Sequence, residues 1–145
     1  MESEHNSTAE LRDLYLELLA GSLTHTIYVG VDRTDPPVGT RTMIEAIDDP
    51  YERRLVFDPE RSREEGRDWP LYAQTMVGLE RLRNVRRCVE SVLAEGVPGD
   101  LIEAGAWRGG VGILMRGVLK AYGVGNRQVW VADSFRGLPP PDPDA

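Results

Sequence analysis

Between Leu101 and Asp133 the chain sets short apolar runs, a glycine cluster and one amphipathic stretch in an order that leaves few folds open. Leu101-Ile102-Glu103-Ala104 meets glycine too soon to be a helix and reads as a buried strand. Val111, Leu114, Met115, Val118 and Tyr122 recur at helical spacing, and Gly123 and Gly125 stop that helix. Val129-Trp130-Val131-Ala132-Asp133 reads as a second strand. Strand, glycine loop, helix and strand form a βαβ unit, which crosses over right-handed and makes a parallel pair. The fold class that follows is α/β with a parallel, Rossmann-like sheet.

The rest of the chain is organised around that unit. Ser7 and Glu10 have the form of a capping box, and Leu11, Leu14, Tyr15, Leu18 and Leu19 predict a first helix ending near Gly21. From Gly30 to Trp69 proline, glycine, aspartate and arginine dominate, which suits an active-site lid or a disordered arm. Asp68 reads as the cap of a second helix with Pro70 in its first turn, interrupted at Gly78. Met76, Leu79, Leu82, Val85, Val89, Val92 and Leu93 form its apolar stripe, down to Gly96. The last nine residues, Gly137 to Ala145, hold four prolines and exclude regular structure. We place residues 1–67 in an N-terminal helix and lid or arm, and 68–145 in the first part of the sheet domain.

Charge and cysteine content narrow the class. With 24 acidic and 17 basic residues the formal charge is -7, which opposes nucleic acid or an anionic membrane as a partner. The single cysteine, Cys88, excludes an intrachain disulfide and reads as a helix-packing residue; a reducing cytoplasm is the default location. The start, MESEHNSTAE, has no apolar run behind a basic head, and no segment approaches about 20 apolar residues.

The chemistry concentrates in Glu103-Ala104-Gly105-Ala106-Trp107-Arg108-Gly109-Gly110-Val111-Gly112. Gly105 and Gly109 clear side chains from a sharp strand-to-helix turn, and the helix behind it presents N–H groups. Asp133 stands 21 residues beyond Gly112, a separation at which an acidic strand end reaches ribose hydroxyls. The loop is E-x-G-x-x-x-G-G rather than G-x-G-x-x-G. A carboxylate two positions before the first glycine repels a pyrophosphate but attracts the ammonium of a methionine moiety. S-adenosylmethionine fits this pattern better than NAD does, and an NAD-dependent oxidoreductase is the weaker alternative.

Several blocks in order resemble the macrocin-type (TylF-like) O-methyltransferases, which methylate sugar hydroxyls of macrolide and aminocoumarin antibiotics. They are Asp13 to Leu19, Leu23 to Tyr28, Gly66 to Pro70, Thr75 to Gly78, Gly99 to Gly110 and Val129 to Pro139; residues 31–65 resemble least. The resemblance implies a class I methyltransferase, α/β with about seven strands, of which this chain holds the N-terminal portion under a helical lid. It implies S-adenosylmethionine and a divalent metal, Mg2+, whose ligands and catalytic base lie outside these residues, so catalytic residues are unknown and no metal ligand is assigned.

Carried over by position, Glu103 and Gly105 line the methionine end, Trp107, Gly109 and Gly110 shape the loop, and Asp133 holds the ribose. Ser134, Phe135 and Arg136 flank the adenosine, and Thr75 and Met76, at the start of the second helix, approach the methionine carboxylate or thioether. Ala104 stands where a threonine is expected, its side chain turned into the sheet. The implied partner is a small glycosylated acceptor, and a homo-oligomer is open. Trp107 reads as a pocket wall and Trp69 as an anchor between helix and sheet. His25 is a lid or packing residue, and His5 belongs to a disordered terminus. A noncatalytic, truncated S-adenosylmethionine-binding module is the alternative from another class.

Overall fold

The structure, a computed structural model, describes residues 2–28, 34–35, 48–50 and 58–137, with backbone only at 2–6 and 34–35. Four helices and four strands are named: α1 (Glu2–Thr24), β1 (Thr34–Asp35), α2 (Pro59–Glu65), β2 (Trp69–Pro70), α3 (Leu79–Ala94), β3 (Leu101–Ala104), α4 (Gly110–Ala121) and β4 (Val129–Ala132). β3 and β4 are parallel, in the register Leu101↔Val129 to Ala104↔Ala132, with α4 as the crossover. The βαβ unit therefore stands as expected, except that β4 ends one residue before Asp133.

Leu16, Ala20 and Leu23 lie on one face of α1 at i, i+4 and i+7, and they join Leu82 and Val89 of α3 and Leu114, Met115, Val118 and Leu119 of α4 in a single core. Burial of each such leucine or valine contributes about 1.5–3 kcal/mol. An ionic seam runs beside the core. Arg86 pairs with Asp13 and with Glu90 (2.8 Å), Arg83 reaches Glu17 (3.5 Å) and Glu64 (3.3 Å), and Tyr122 donates to Glu90 (2.9 Å). The N-terminal helix is thus packed into the same body as the βαβ unit.

Several expectations about element ends are overturned. Helix α1 begins upstream of Ser7, so Ser7 and Glu10 lie inside it rather than at its cap, and His5 lies in it too. It also runs past Gly21 to Thr24. It stops because His25 turns left-handed (φ 65°), letting the His25 and Thr26 N–H groups bond back to Ser22 and Gly21 carbonyls (3.2 and 2.9 Å).

The stretch from Gly30 to Trp69, expected to be irregular, contains β1 and α2. Asp58 caps α2 by accepting the Arg61 N–H (3.1 Å), Pro59 opens it, and left-handed Gly66 closes it. The lid-or-arm expectation for residues 30–33, 36–47 and 51–57 lies outside the described residues, as does the proline-rich tail from 138.

The second long helix starts at Leu79, not near Asp68. Asp68 is buried beside Arg63 (3.2 Å) and caps nothing, Pro70 sits in β2, and Gly78 is the N-cap of α3 rather than an interruption. Thr75 and Met76 consequently precede the helix. Cys88 is exposed on α3 and does not pack, and Trp69 is exposed rather than an anchor. On the sheet, Val129, Val131 and Glu103 face α4 near Gly112. Among the described residues nothing covers the other face, where Ile102 is 68% and Trp130 55% exposed and where Ala104 also lies.

Candidate cofactor site

The glycine loop folds around two carboxylates. Glu103, third residue of β3, accepts the Gly112 N–H at its Oε2 (2.8 Å) and so caps α4 from across the turn. Asp133, directly after β4, accepts the Trp107 N–H at Oδ2 (2.9 Å) and the Phe135 N–H at Oδ1 (2.9 Å). The Gly105 N–H extends the ladder to the Ala132 carbonyl (2.8 Å). Asp133 therefore ties the loop to the strand end while closing the turn that follows.

The two acids titrate in opposite senses. The Phe135 and Trp107 N–H bonds hold Asp133 below the ordinary aspartate value. Burial pushes Glu103 above the ordinary glutamate value, the Gly112 N–H pulls it back, and the Asp133 charge adds to the rise. At neutral pH the loop is bordered by one firmly ionised carboxylate and one whose charge is costly to hold without a cationic neighbour.

Gly105 (φ 79°) and Gly109 (φ 80°) take left-handed backbone, and a Cβ on either would meet nothing within 4 Å, so space opens above the turn. Gly110 serves differently. A Cβ there would lie 2.5 Å from the Gln74 carbonyl oxygen and 2.8 Å from Thr75 Cβ, because residues 71–76 lie directly on the start of α4. Gln74 joins both sides: its carbonyl accepts the Gly110 N–H (2.9 Å) and its N–H donates to the Leu23 carbonyl at the end of α1 (2.8 Å). Thr75 is buried, and its hydroxyl accepts the Val77 N–H (3.2 Å).

Of the sequence-predicted residues, Glu103, Gly105, Trp107, Gly109, Gly110, Thr75 and Asp133 thus meet around one turn. Met76 is half-buried next to Thr75, with its carbonyl held by Arg63 Nη2 (2.9 Å). Ser134, Phe135 and Arg136 form the exposed turn leaving Asp133, in which Ser134 Oγ accepts the Arg136 N–H (3.3 Å). Trp107 and Phe135 are both left-handed without being glycine (φ 52° each), a costly backbone state held in place by the Asp133 bonds. The His25 ring lies 4.4 Å from that of Tyr28 and 5.7 Å from that of Tyr72.

Sequence reasoning missed Arg108, Arg63 and Gln74. Arg108 stood inside the quoted loop, but its partners are carbonyls more than thirty residues upstream. Gln74 acts through its backbone, which leaves no residue-type signal. Among the described residues no three histidine, cysteine, aspartate or glutamate side chains gather as metal ligands would.

A glycine turn between two parallel strands, closed by one carboxylate and capped by another, places the chain among α/β proteins with a parallel sheet. The chain belongs to the macrocin O-methyltransferase (TylF) family, whose pattern it matches over residues 12–145. It is 51% identical over 132 residues to the 8-demethyl-8-(2,3-dimethoxy-α-L-rhamnosyl)-tetracenomycin-C 4'-O-methyltransferase of Streptomyces olivaceus, covering 91% of this chain and 44% of that protein. It is 48% identical over 126 residues to demethyldecarbamoylnovobiocin O-methyltransferase of Streptomyces niveus, covering 87% and 43%. It is 42% identical over 127 residues to mycinamicin III 3''-O-methyltransferase of Micromonospora griseorubida, covering 88% and 44%. The solved structure of the O-methyltransferase NovP superimposes with a TM-score of 0.69 at 45% identity, over 88% of this chain and 44% of that one. The chain thus spans less than half the length of these relatives.

Proposed function

We propose that the chain is the cofactor-binding portion of a class I, Rossmann-like, S-adenosylmethionine-dependent O-methyltransferase that methylates a sugar hydroxyl of a macrolide- or aminocoumarin-like glycoside. The observation that carries this reading is the occupied start of α4. In a dinucleotide site the first amides of the helix cradle pyrophosphate. Here the Gly110 N–H is bonded to the Gln74 carbonyl and the Gly112 N–H to Glu103, and the acid at that place repels a phosphate. The same acid attracts an ammonium, and the open turn over Gly105 and Gly109 admits a flat or extended ligand. This favours S-adenosylmethionine over NAD.

The residues then divide the work. Glu103 and Gly105 receive the amino-acid end, with Thr75 and Met76 beside its carboxylate or thioether. Trp107, Gly109 and Gly110 shape the turn, Asp133 accepts from the ribose, and Ser134, Phe135 and Arg136 border the adenosine. Bound S-adenosylmethionine supplies a methyl group on a sulfonium; these residues orient it and neutralise its ammonium. Residues 68–137 supply the first part of the sheet domain, and α1, although N-terminal, belongs to its core rather than to a separate arm. The family implies Mg2+ and a general base, and among the described residues no cluster of carboxylate, histidine or cysteine side chains fits a metal ion. Among the described residues no helix is long and apolar enough to cross a membrane. Work in the cytoplasm on a small glycosylated acceptor, in a homo-oligomer or alone, completes the proposal.

Calorimetric titration of the chain with S-adenosylhomocysteine, and separately with NAD, tests it. The wild type binds S-adenosylhomocysteine and not NAD. Replacing Asp133 with asparagine weakens that binding on the order of a hundredfold, since each bond from a ribose hydroxyl to a charged acceptor contributes several-fold to tenfold or more. Tight NAD binding by the wild type ends the methyltransferase reading. Unchanged S-adenosylhomocysteine affinity in a folded Asp133→Asn removes that residue from the site.

A further inference from the structure

We propose that Arg108 is a positioning residue, which holds residues 71–76 against the glycine loop so that Thr75 and Met76 complete the cofactor site. The inference rests on the function proposed above and assigns a role to a residue which that reading leaves without one. Between β2 and α3 the backbone lacks a ladder of its own, so its polar groups need partners from elsewhere. Arg108 supplies two of them. Its Nη1 donates to the Leu71 carbonyl (3.0 Å) and the Ala73 carbonyl (2.8 Å). The same guanidinium lies 4.0 Å over the ring of Trp107, which itself is bonded to Asp133. One side chain therefore spans the upstream segment, the loop tryptophan and, through it, the ribose-side carboxylate.

The geometry suits arginine and not lysine. A planar guanidinium can stack on an indole face while directing one nitrogen to two carbonyls, whereas an ammonium cannot keep both relations. The far end of the segment is held by Arg63 at the Met76 carbonyl, but Arg63 is buried against Asp68 and its loss would leave an uncompensated buried charge. Arg108 is exposed, so its removal strands no charge and its effect falls on placement. The Gly110 and Gln74 hydrogen bonds remain to dock the segment without it, but they fix only its middle.

The test is titration of the wild type, Arg108→Met and Arg108→Lys with S-adenosylhomocysteine, beside thermal melting and amide hydrogen exchange of each. We expect Arg108→Met to bind at least tenfold more weakly with little change in melting temperature, and Arg108→Lys to regain only part of the affinity. Equal affinity in all three overturns the role, as does a loss of affinity matched by a comparable loss of folded protein. A folded wild type that fails to bind overturns the proposed function instead. In that case the clamp is decided by exchange: the Gln74 and Gly110 amides exchange faster in Arg108→Met, and unchanged rates refute it.

Discussion

At the scale of single residues, Glu103 carries a conflict between stability and binding. Its carboxyl is raised by burial, so whatever it adds to the fold is fully present below the ordinary glutamate range and is lost as pH rises through the raised value. Glu103→Gln keeps an acceptor for the Gly112 N–H and has no charge to hold. The variant should therefore melt at a higher temperature than the wild type at pH 7–8, the gain shrinking toward about pH 4, while its affinity for S-adenosylhomocysteine falls. Melting curves across that range check the first half and titration the second. A gain independent of pH would show that the carboxylate is not strained. Asp133 has the opposite sign: depressed by two N–H bonds, it stabilises the fold above the ordinary aspartate range and loses that contribution as pH falls. The placing of both acids at strand ends beside the glycine turn was legible in the sequence from residue type and spacing. Which of the loop's own amides they bind was not, since that depends on which backbone groups a turn leaves unpaired.

At the scale of elements, the junction of α2 and α3 turns on two glycines. A Cβ at Gly78 would stand 2.2 Å from the Glu64 carbonyl oxygen and 2.3 Å from the Gly66 nitrogen, both backbone atoms that cannot swing aside. Its own φ of -74° is ordinary, so alanine is locally tolerated there, and glycine and alanine differ at an N-cap by no more than about 1 kcal/mol. Forced overpacking costs about 1–3 kcal/mol, and the clash decides. Gly78→Ala should lower the melting temperature and free α2; an unchanged denaturation midpoint would mean the two elements separate without cost. This junction also shows where sequence reading failed. Asp68 and Pro70 imitate a helix start, yet residues 71–78 stay out of the helix because Leu23, Gly110, Arg63 and Arg108 partner their backbone from distant parts of the chain. No local window contains those partners. Asp58, Pro59 and Gly66 do carry the start and stop signals of α2, hidden within a stretch dominated by turn-forming residues. The βαβ unit was legible because its helix, strands and glycines are contiguous and its apolar pattern is local.

At the scale of the whole molecule, the described parallel sheet has two strands and only one covered face. Parallel sheets in α/β proteins are covered on both faces. The three relatives described are more than twice as long as the aligned part. We expect the 145 residues by themselves to give no methyl transfer. Incubation with labelled S-adenosylmethionine, magnesium and a panel of glycosylated macrolides and aminocoumarins checks this, and one confirmed turnover would end it.

The bare face has a colloidal consequence. Among the described residues the outer edges of β3 and β4 are unpaired, beside exposed Ile102 and Trp130, which makes them a template for a strand from another molecule. The formal charge of -7 opposes the approach of a second copy, and that repulsion reaches about 10 Å at 0.1 M salt but only about 3 Å at 1 M. Self-association through this face is therefore expected to follow the electrolyte, least in dilute buffer and greatest at high salt.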